Sequence, residues 1–353
     1  MRLSVLSVAF PFAPVSPDSV GGAEQILSAL DRALIAAGHR SIVIAPEGSR
    51  VAGELIALPA TTGLITEAAR AEVWARWRAA IDQVLMRRTI DLIHCHGIDY
   101  NHYLPGPGTP LLATLHLPSE WYAPEALSPR RPDTWLQGVS ALQRIAGRHV
   151  VPPIENGVPI ERLTARHRKR RFALVLTRIC AEKGVHLAIE AAKQADIALL
   201  IAGQAFSYVP HLRYFEEEVH RRLDRHRRFI GPIPFARKRR LLTAARCLLV
   251  PSIVAETSSL VAREALACGT PVIAFAKGAL TQVVEPGRTG FLVGSVEEMA
   301  RAIEACGGLD SSACRAAARA RFSEQRMIAE YLTLYQRLAR REDKPHRVVI
   351  GLR

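Results

Sequence analysis

The apolar positions of this chain follow two alternating periods. Short runs rich in Val, Ile and Leu, such as LSVLSVAF, SIVIAP and DLIHCHG, have the length and β-branched content of buried strands. Between them lie longer stretches whose apolar residues recur every three or four positions, GGAEQILSALDRALIAAGH and ITEAARAEVWARWRAAIDQVLMRR among them, as on an amphipathic helix. PLLATLHL follows, and later the pattern restarts with FALVLTRI, VHLAIEAAKQA, IALLIAG, RRFIGPI, KRRLLTAAR, CLLVPSIV, SLVAREALACG and TPVIAFA. Strands alternating with crossover helices argue for doubly wound parallel sheets. Between the two series, HVVPPIENGVPIERL has three prolines, one glycine and little periodicity, which predicts a hinge near residues 150–165. The expected architecture is α/β, two Rossmann-like domains facing a cleft. Residues 1–155 form the first and 156–321 the second, and a last helix over 322–341 rejoins the first. The closing EDKPHRVVIGLR is expected to be loosely held.

Composition narrows the class. A chain of 353 residues with 49% apolar content suits two domains with sizeable cores. No run reaches the ~20 apolar residues needed to span a bilayer. The start, MRLSVLSVAFPFAPV, is broken by Pro11 and Pro14 and has no small-residue cleavage pattern. It reads as a first buried strand, and so as part of a cytoplasmic protein. Six cysteines without CxxC spacing, mostly in apolar surroundings, read as core residues, neither a disulfide framework nor a zinc site. The formal charge of +14 is concentrated in RLTARHRKRR (162–171), HRRLDRHRR (220–228) and ARKRR (236–240). Solvated faces explain such runs, and so does an anionic partner: a membrane surface, a phosphorylated acceptor or nucleic acid.

Open parallel sheets bind ligands beyond the carboxyl ends of their strands, so residues just after apolar runs carry the interest. In CLLVPSIVAETSSLVAREALACG, Glu256 falls in a loop after a strand. Ser258 or Ser259 is placed to cap the helix that follows, Gly269 to end it, and Glu264 sits on its second turn. The start of that helix, Ser259, Leu260 and Val261, offers free backbone N–H groups and a positive dipole end, suited to a phosphate. The two carboxylates are placed to accept hydrogen bonds from sugar and ribose hydroxyls. An ion pair to a nearby arginine (Glu264) and an exposed loop carboxylate (Glu256) are the plainer readings.

Glutamate, seven residues, glutamate, then EALACGTPVIAF and GRTGFLV (287–293), resembles the retaining glycosyltransferases of family 4, which have the two-Rossmann-domain GT-B fold. LTRICAEKGVHLAIEAA is similar to the family segment bearing an arginine and a lysine–glycine pair, here Arg178, Lys183 and Gly184. GGAEQ (21–25), DLIHCHG (91–97), TLHLP (114–118) and NGVPIERL (156–163) match in order as well. The resemblance implies transfer of a hexosyl unit from a nucleotide diphosphate sugar, a UDP-sugar before GDP-mannose, to an acceptor hydroxyl with retention. By the same resemblance Arg178 and Lys183 neutralise the departing diphosphate, Gly21 and Gly22 let backbone approach it across the cleft, and His116 lies beside the donor sugar. His94 and His96, able to face one side of a strand, read as packing or supporting groups, and Glu24 as an ordinary first-turn acid.

No Asp-x-Asp occurs, so no metal and no cofactor beyond the donor substrate is expected. Where relatives often have proline, phenylalanine and glycine after the first glutamate, this chain has Thr257, Ser258 and Ser259, which changes the pocket wall. The acceptor, a glycan, a lipid-linked group or a small molecule, is expected to engage the first domain, where HLPSEWYAPEALSPRRPDTW (116–135) offers Trp121, Tyr122 and Trp135, residues that core packing explains about as often. Peripheral contact with the inner membrane surface is the localisation that a lipid-linked acceptor implies. Two other classes fit parts of the pattern. A nicotinamide-dependent oxidoreductase needs a GxGxxG turn, which GPGTPL (106–111) fails to supply, and a nucleic-acid-binding protein needs aromatics among the basic runs, which are absent.

Overall fold

A computed structural model describes residues 2–143, 145, 149–165 and 167–342. It divides into two compact units. The first runs to Glu155 and takes up the chain again from Met327; the second is Asn156–Arg326.

The first unit has seven parallel strands: β1 (Ser4–Val8), β2 (Arg40–Pro46), β3 (Glu54–Leu58), β4 (Leu92–Cys95), β5 (Leu111–Leu115), β6 (Thr134–Gly138) and β7 (Val150–Val151), in the order β3-β2-β1-β4-β5-β6-β7. The second has six: β8 (Phe172–Arg178), β9 (Ala198–Gln204), β10 (Arg227–Phe229), β11 (Cys247–Val250), β12 (Val272–Phe275) and β13 (Gly290–Val293), in the order β10-β9-β8-β11-β12-β13. Every pairing is parallel, as in Val5↔Leu92 and Leu248↔Val272. Both sheets reverse direction of growth beside their first strand, so each has a switch point where a crevice opens at the carboxyl ends.

The strands anticipated from long apolar runs are those buried on both faces; β1, β2, β4, β5 and β11 have almost no exposed residue. β3 is an edge strand with half-exposed positions, and β6, TWLQG, hides its strand character behind polar residues. Helices cover both sheets. Glu67–Arg87, capped by the Thr66 hydroxyl accepting from Ala69 N, drives Val73, Trp77, Ile81 and Val84 into the first core. The last helix, expected over 322–341, is Glu324–Ala339, and it buries Met327, Tyr331, Leu334, Tyr335 and Leu338. All six cysteines are buried and unpaired. No helix among the described residues is long and apolar enough to cross a membrane. The expectation for the C-terminal stretch after Glu342 lies outside the described residues.

Two of the aromatic side chains proposed to meet an acceptor are core residues instead. Tyr122 is buried and its hydroxyl accepts from Leu117 N at 3.3 Å, and Trp135 is buried within β6. A loop reading failed there because the strand begins at Thr134. Only Trp121, on a short 3-10 turn, keeps partial exposure.

Candidate active site

Seven of the ten candidate residues belong to the second unit and cluster by chain position at the carboxyl ends of β8 and β11. Arg178 is the last residue of β8. A 3-10 turn, Ala181–Lys183, follows and ends on Gly184, whose φ of +60° is left-handed. A Cβ there would meet the Pro251 carbonyl oxygen at 2.2 Å, so only glycine lets this turn lie against the end of β11. That approach sets Lys183. Its Nζ lies 2.5 Å from Glu256 Oε1, with the two side chains only 18% and 11% exposed. The Ser252 hydroxyl donates to the same carboxylate oxygen. Burial pushes the Glu256 carboxyl up, but the Lys183 ammonium, the Ser252 hydrogen bond and the charge of Arg178 together outweigh it and hold it below the ordinary range. The result is a desolvated carboxylate–ammonium pair within reach of a second cation.

The Glu256 loop is held from behind. Ala279 N donates to Glu256 O at 2.7 Å, and a Cβ at Gly278 would meet that oxygen at 2.4 Å. Ser259 adopts φ +53°, ψ +69°, a conformation L-residues seldom take outside glycine. It stands where the family pattern has its glycine. The helix Leu260–Ala267 starts here without the expected serine cap: neither Ser258 nor Ser259 makes a side-chain hydrogen bond to it. The hydroxyl oxygens of both are buried and have no partner. A left-handed residue turns its side chain away from the first-turn N–H groups, which is why the cap fails. The helix start at Ser259, Leu260 and Val261 thus combines two orphan hydroxyls with N–H groups lacking intrahelical partners.

Glu264, one turn into this helix and buried, stands apart from Glu256. Its Oε1 accepts from Lys238 Nζ at 2.5 Å, from the helix Phe235–Ala244. The pairing is with a lysine, not the arginine of the plainer reading. The arginine of the motif, Arg263, does something else. It is 2% exposed, lies 4.7 Å over the Phe322 ring, and donates to Ser258 O at 3.1 Å and to Asn156 O at 2.5 Å. It therefore clamps the serine loop in place. Sequence reasoning passed over both Lys238 and Arg263, since Glu264, which fixes Lys238, and Asn156, which fixes Arg263, each lie far from that residue along the chain.

A further group at the end of β8 also escaped the sequence. Cys180 Sγ, a Glu182 carboxylate oxygen and a His211 ring nitrogen lie within 4.8 Å of one another. Burial pushes the Cys180 thiol up to about 11, and the positive charge of Arg178 acts on all three residues. A cation placed there would be repelled by that charge, and the Cys180 thiol is protonated at neutral pH, so the group is poorly suited to a metal.

Gly21, Gly22 and His116 belong to the first unit. Gly21 precedes the helix Gly22–Ala36 with an ordinary φ of −76°, so the turn does not demand glycine. What a Cβ at Gly21 would meet is the Glu24 carboxylate, its Oε2 at 1.8 Å, the end of a side chain that would have to move. Glu24, read as an ordinary first-turn acid, does sit in the first turn but is buried, its carboxylate folded over the glycine. His116 follows β5, is buried, and its Nε2 lies 3.0 Å from His96 Nδ1. The His96 ring lies 3.9 Å from that of His94 between centroids, tilted by 43°, so the two do share one side of β4's end. His94 is held by Tyr335 Oη and Thr114 Oγ1, each at 2.7 Å. Burial pushes all three imidazoles down, His116 to about 3, so at neutral pH each is an uncharged donor and acceptor.

Comparison with known proteins bears on this arrangement. Residues 160–325 match the family model for glycosyl transferases group 1, and residues 20–152 match that for glycosyltransferase family 4. A D-inositol 3-phosphate glycosyltransferase of Nocardioides is 38% identical over 117 residues, 31% of this chain and 25% of the relative, so the match spans about a quarter of that protein. Among solved structures, sucrose-phosphate synthase from Thermosynechococcus elongatus superimposes with a TM-score of 0.75 at 20% identity, over 95% of this chain and 99% of that one. Anabaena HepE in complex with UDP and glucose gives 0.71 at 18%, over 95% and 100%. These two likenesses are of fold. Neither rival class, oxidoreductase or nucleic-acid-binding protein, gains support. Two Rossmann-type sheets with a family model matched to each make this chain a member of glycosyltransferase family 4, the group 1 glycosyl transferases of GT-B fold.

Proposed function

We propose that this protein is a retaining glycosyltransferase that moves a hexosyl unit from a nucleotide diphosphate sugar, a UDP-sugar before GDP-mannose, to a hydroxyl of a glycan, lipid-linked or small-molecule acceptor. The observation that carries this reading is the Lys183–Glu256 pair, with Arg178 in electrostatic reach, beside a helix start whose serine hydroxyls lack partners. A diphosphate supplies what that constellation lacks: acceptor oxygens for the hydroxyls and N–H groups, and charge for the two cations. The UDP and glucose bound by the HepE neighbour, and the D-inositol 3-phosphate in the name of the Nocardioides relative, support a UDP-sugar and a small acceptor in turn.

In the reaction, the bond between the anomeric carbon and the diphosphate oxygen breaks, and the acceptor oxygen bonds to that carbon on the same face. The acceptor proton passes to the departing phosphate oxygen. Negative charge grows on the diphosphate, where Arg178, Lys183 and the start of the helix Leu260–Ala267 stabilise it without a metal. Glu256, already ionised by its surroundings, accepts from sugar hydroxyls once the phosphate shares Lys183. Glu264 is committed to Lys238, so its role toward a ribose requires that Lys238 remain its partner through one oxygen while the other accepts. His116, neutral, donates or accepts a hydrogen bond and carries no charge to the sugar.

Calorimetric titration with UDP-glucose, UDP-galactose and GDP-mannose tests the reading, followed by the anomeric configuration of the product by NMR. Arg178→Ala and Lys183→Ala should each weaken donor binding and turnover while the fold survives. Unchanged kinetics in both would remove the diphosphate site.

A further inference from the structure

A cavity of about 280 Å³ lies elsewhere on the second unit, lined by His167, Arg168, Arg170, Phe172, Leu241 and Ala244, with Arg240 at its edge. Its frame is rigid backbone. Arg170 N donates to Ala244 O at 2.8 Å, at the end of the helix Phe235–Ala244, and Phe172, which opens β8, accepts from Arg246 N at 2.9 Å. Arg178 ends the same strand, so six residues of β structure, about 20 Å, separate this cavity from the candidate diphosphate site.

The charge around the cavity is not neutralised internally. No acidic residue occurs in 162–171 or in 235–246. Neighbouring cations point elsewhere: Lys169 donates to Thr270 Oγ1, Arg171 to Asp196 O, Lys238 pairs with Glu264, and Arg239 donates to Arg162 O. The side chains of His167, Arg168, Arg170 and Arg240 have no hydrogen bond or ion pair among the described residues. The other basic run differs. There Arg222 pairs with Glu218 and Glu190, and Arg227 with Asp224. Among the described residues Arg221, Arg225 and Arg228 of that run have no acidic partner either, but they line no such cavity, whereas three unneutralised guanidinium groups line this one.

Its chemistry selects a ligand class. Three guanidinium groups, each a planar fork of donors, match tetrahedral phosphate oxygens better than any single carboxylate. Phe172, Leu241 and Ala244 give an apolar wall for the part of the ligand that carries the phosphate. The volume lies at the small end for ligand pockets, enough for a headgroup and too little for a polymer. A nucleic acid strand would also need a row of aromatic platforms, and among the described residues the cavity has only the His167 imidazole and Phe172, the latter half-buried in its strand. We propose that this cavity binds a phosphate ester, its anion gripped by Arg168, Arg170 and Arg240 and its apolar portion held against Phe172 and Leu241. The proposal does not rest on the donor reading above.

The full chain is floated with vesicles of phosphatidylcholine, with and without phosphatidylglycerol, and titrated calorimetrically with glycerol 3-phosphate. The variants are the triple R168Q/R170Q/R240Q and a charge-matched triple, R221Q/R225Q/R228Q, in the other basic run. Binding to phosphatidylglycerol vesicles, weakened about a hundredfold in the first triple and less than about threefold in the second, assigns the site to lipid headgroups. Binding of glycerol 3-phosphate alone, abolished by the first triple only, assigns it to soluble phosphate esters. Absence of both, or equal loss in the two triples, overturns the proposal. So does binding of single-stranded RNA that the first triple abolishes while both phosphate-ester probes fail. Unchanged thermal unfolding in both triples confirms that the surface substitutions leave the fold intact.

Discussion

Lys183 is 18% exposed and Glu256 11%, so removing either leaves the other poorly hydrated and unpaired. Lys183→Ala is expected to lower stability by about 1–3 kcal/mol, read by urea unfolding, and turnover by roughly a hundredfold or more, the loss typical of a group that meets transition-state charge. Glu256→Gln separates the two effects. It keeps the shape and the Ser252 contact, removes the charge, and should cost donor affinity more than stability; a variant with full donor affinity would take Glu256 out of the site. Ser259→Gly addresses the left-handed turn. Relieving φ +53° is worth about 1 kcal/mol, so the variant should unfold at equal or higher urea concentration. The missing hydroxyl should show only in nucleotide binding, and a variant less stable than the parent would mean that the serine earns its place structurally. The motif residues could be singled out because the family resemblance runs through short local patterns: a lysine before a glycine at a strand end, a glutamate before a helix start. Lys238 and Arg263 could not. Their partners lie 26 and 107 residues away, and only the closed sheet brings them together.

At the scale of elements, β4, β5, β6 and the helix Glu324–Ala339 are joined by one buried hydrogen-bond chain whose protons can be placed. Gln137 Nε2 donates to Gly138 O, which turns Gln137 Oε1 toward Thr114 and Tyr331, both of which donate to it at 2.8 Å. Thr114 has then spent its proton and must accept from His94 Nε2, leaving His94 Nδ1 to accept from the Tyr335 hydroxyl. Tyr335→Phe orphans that nitrogen and should cost about 1–3 kcal/mol, with His94→Gln adding little further in the double variant because both remove the same bond. Near-additive losses would break this chain of assignments. The same imidazoles predict acid sensitivity. Each has its folded-state pKa depressed from 6.5, so the stability they contribute is full above pH 6.5 and is lost as pH falls, for His116 down to about 3. Each contributes up to about 1.4 kcal/mol per pH unit in that window. Urea midpoints at pH 7.5 and 5.5 should differ accordingly, and a flat profile would mean that the three rings are hydrated. Here the sequence was readable in part. HCH in DLIHCHG put two histidines on one side of a strand, but the strand TWLQG was masked by polar residues whose partners, Thr114 and Tyr331, come from other elements.

The whole molecule is two doubly wound units, and each holds some of the candidate donor residues. Arg178, Lys183, Glu256 and the start of the helix Leu260–Ala267 come from the second unit, while Gly21, Gly22 and His116 come from the first. A nucleotide diphosphate without its sugar has no sugar hydroxyl for His116 to meet, so in the first unit it should report only on the amides at Gly21 and Gly22, and otherwise on the second unit's residues. Hydrogen exchange with and without UDP reads this directly. Amides of residues 178–184 and 252–264 should slow by the factor 1 + [L]/Kd, about a hundredfold at a ligand concentration a hundred times Kd, because their opening requires release of the nucleotide. The core strands β4, β5 and β6 belong to the first unit and should keep their unliganded rates, since the His94–Gln137 chain that joins them includes none of the candidate diphosphate residues. If UDP protects those strands as strongly as the loop at Glu256, ligand binding and global stability are coupled through the molecule. If it protects neither, the cations and serines of the second unit are not a nucleotide site, whatever the fold they are built on.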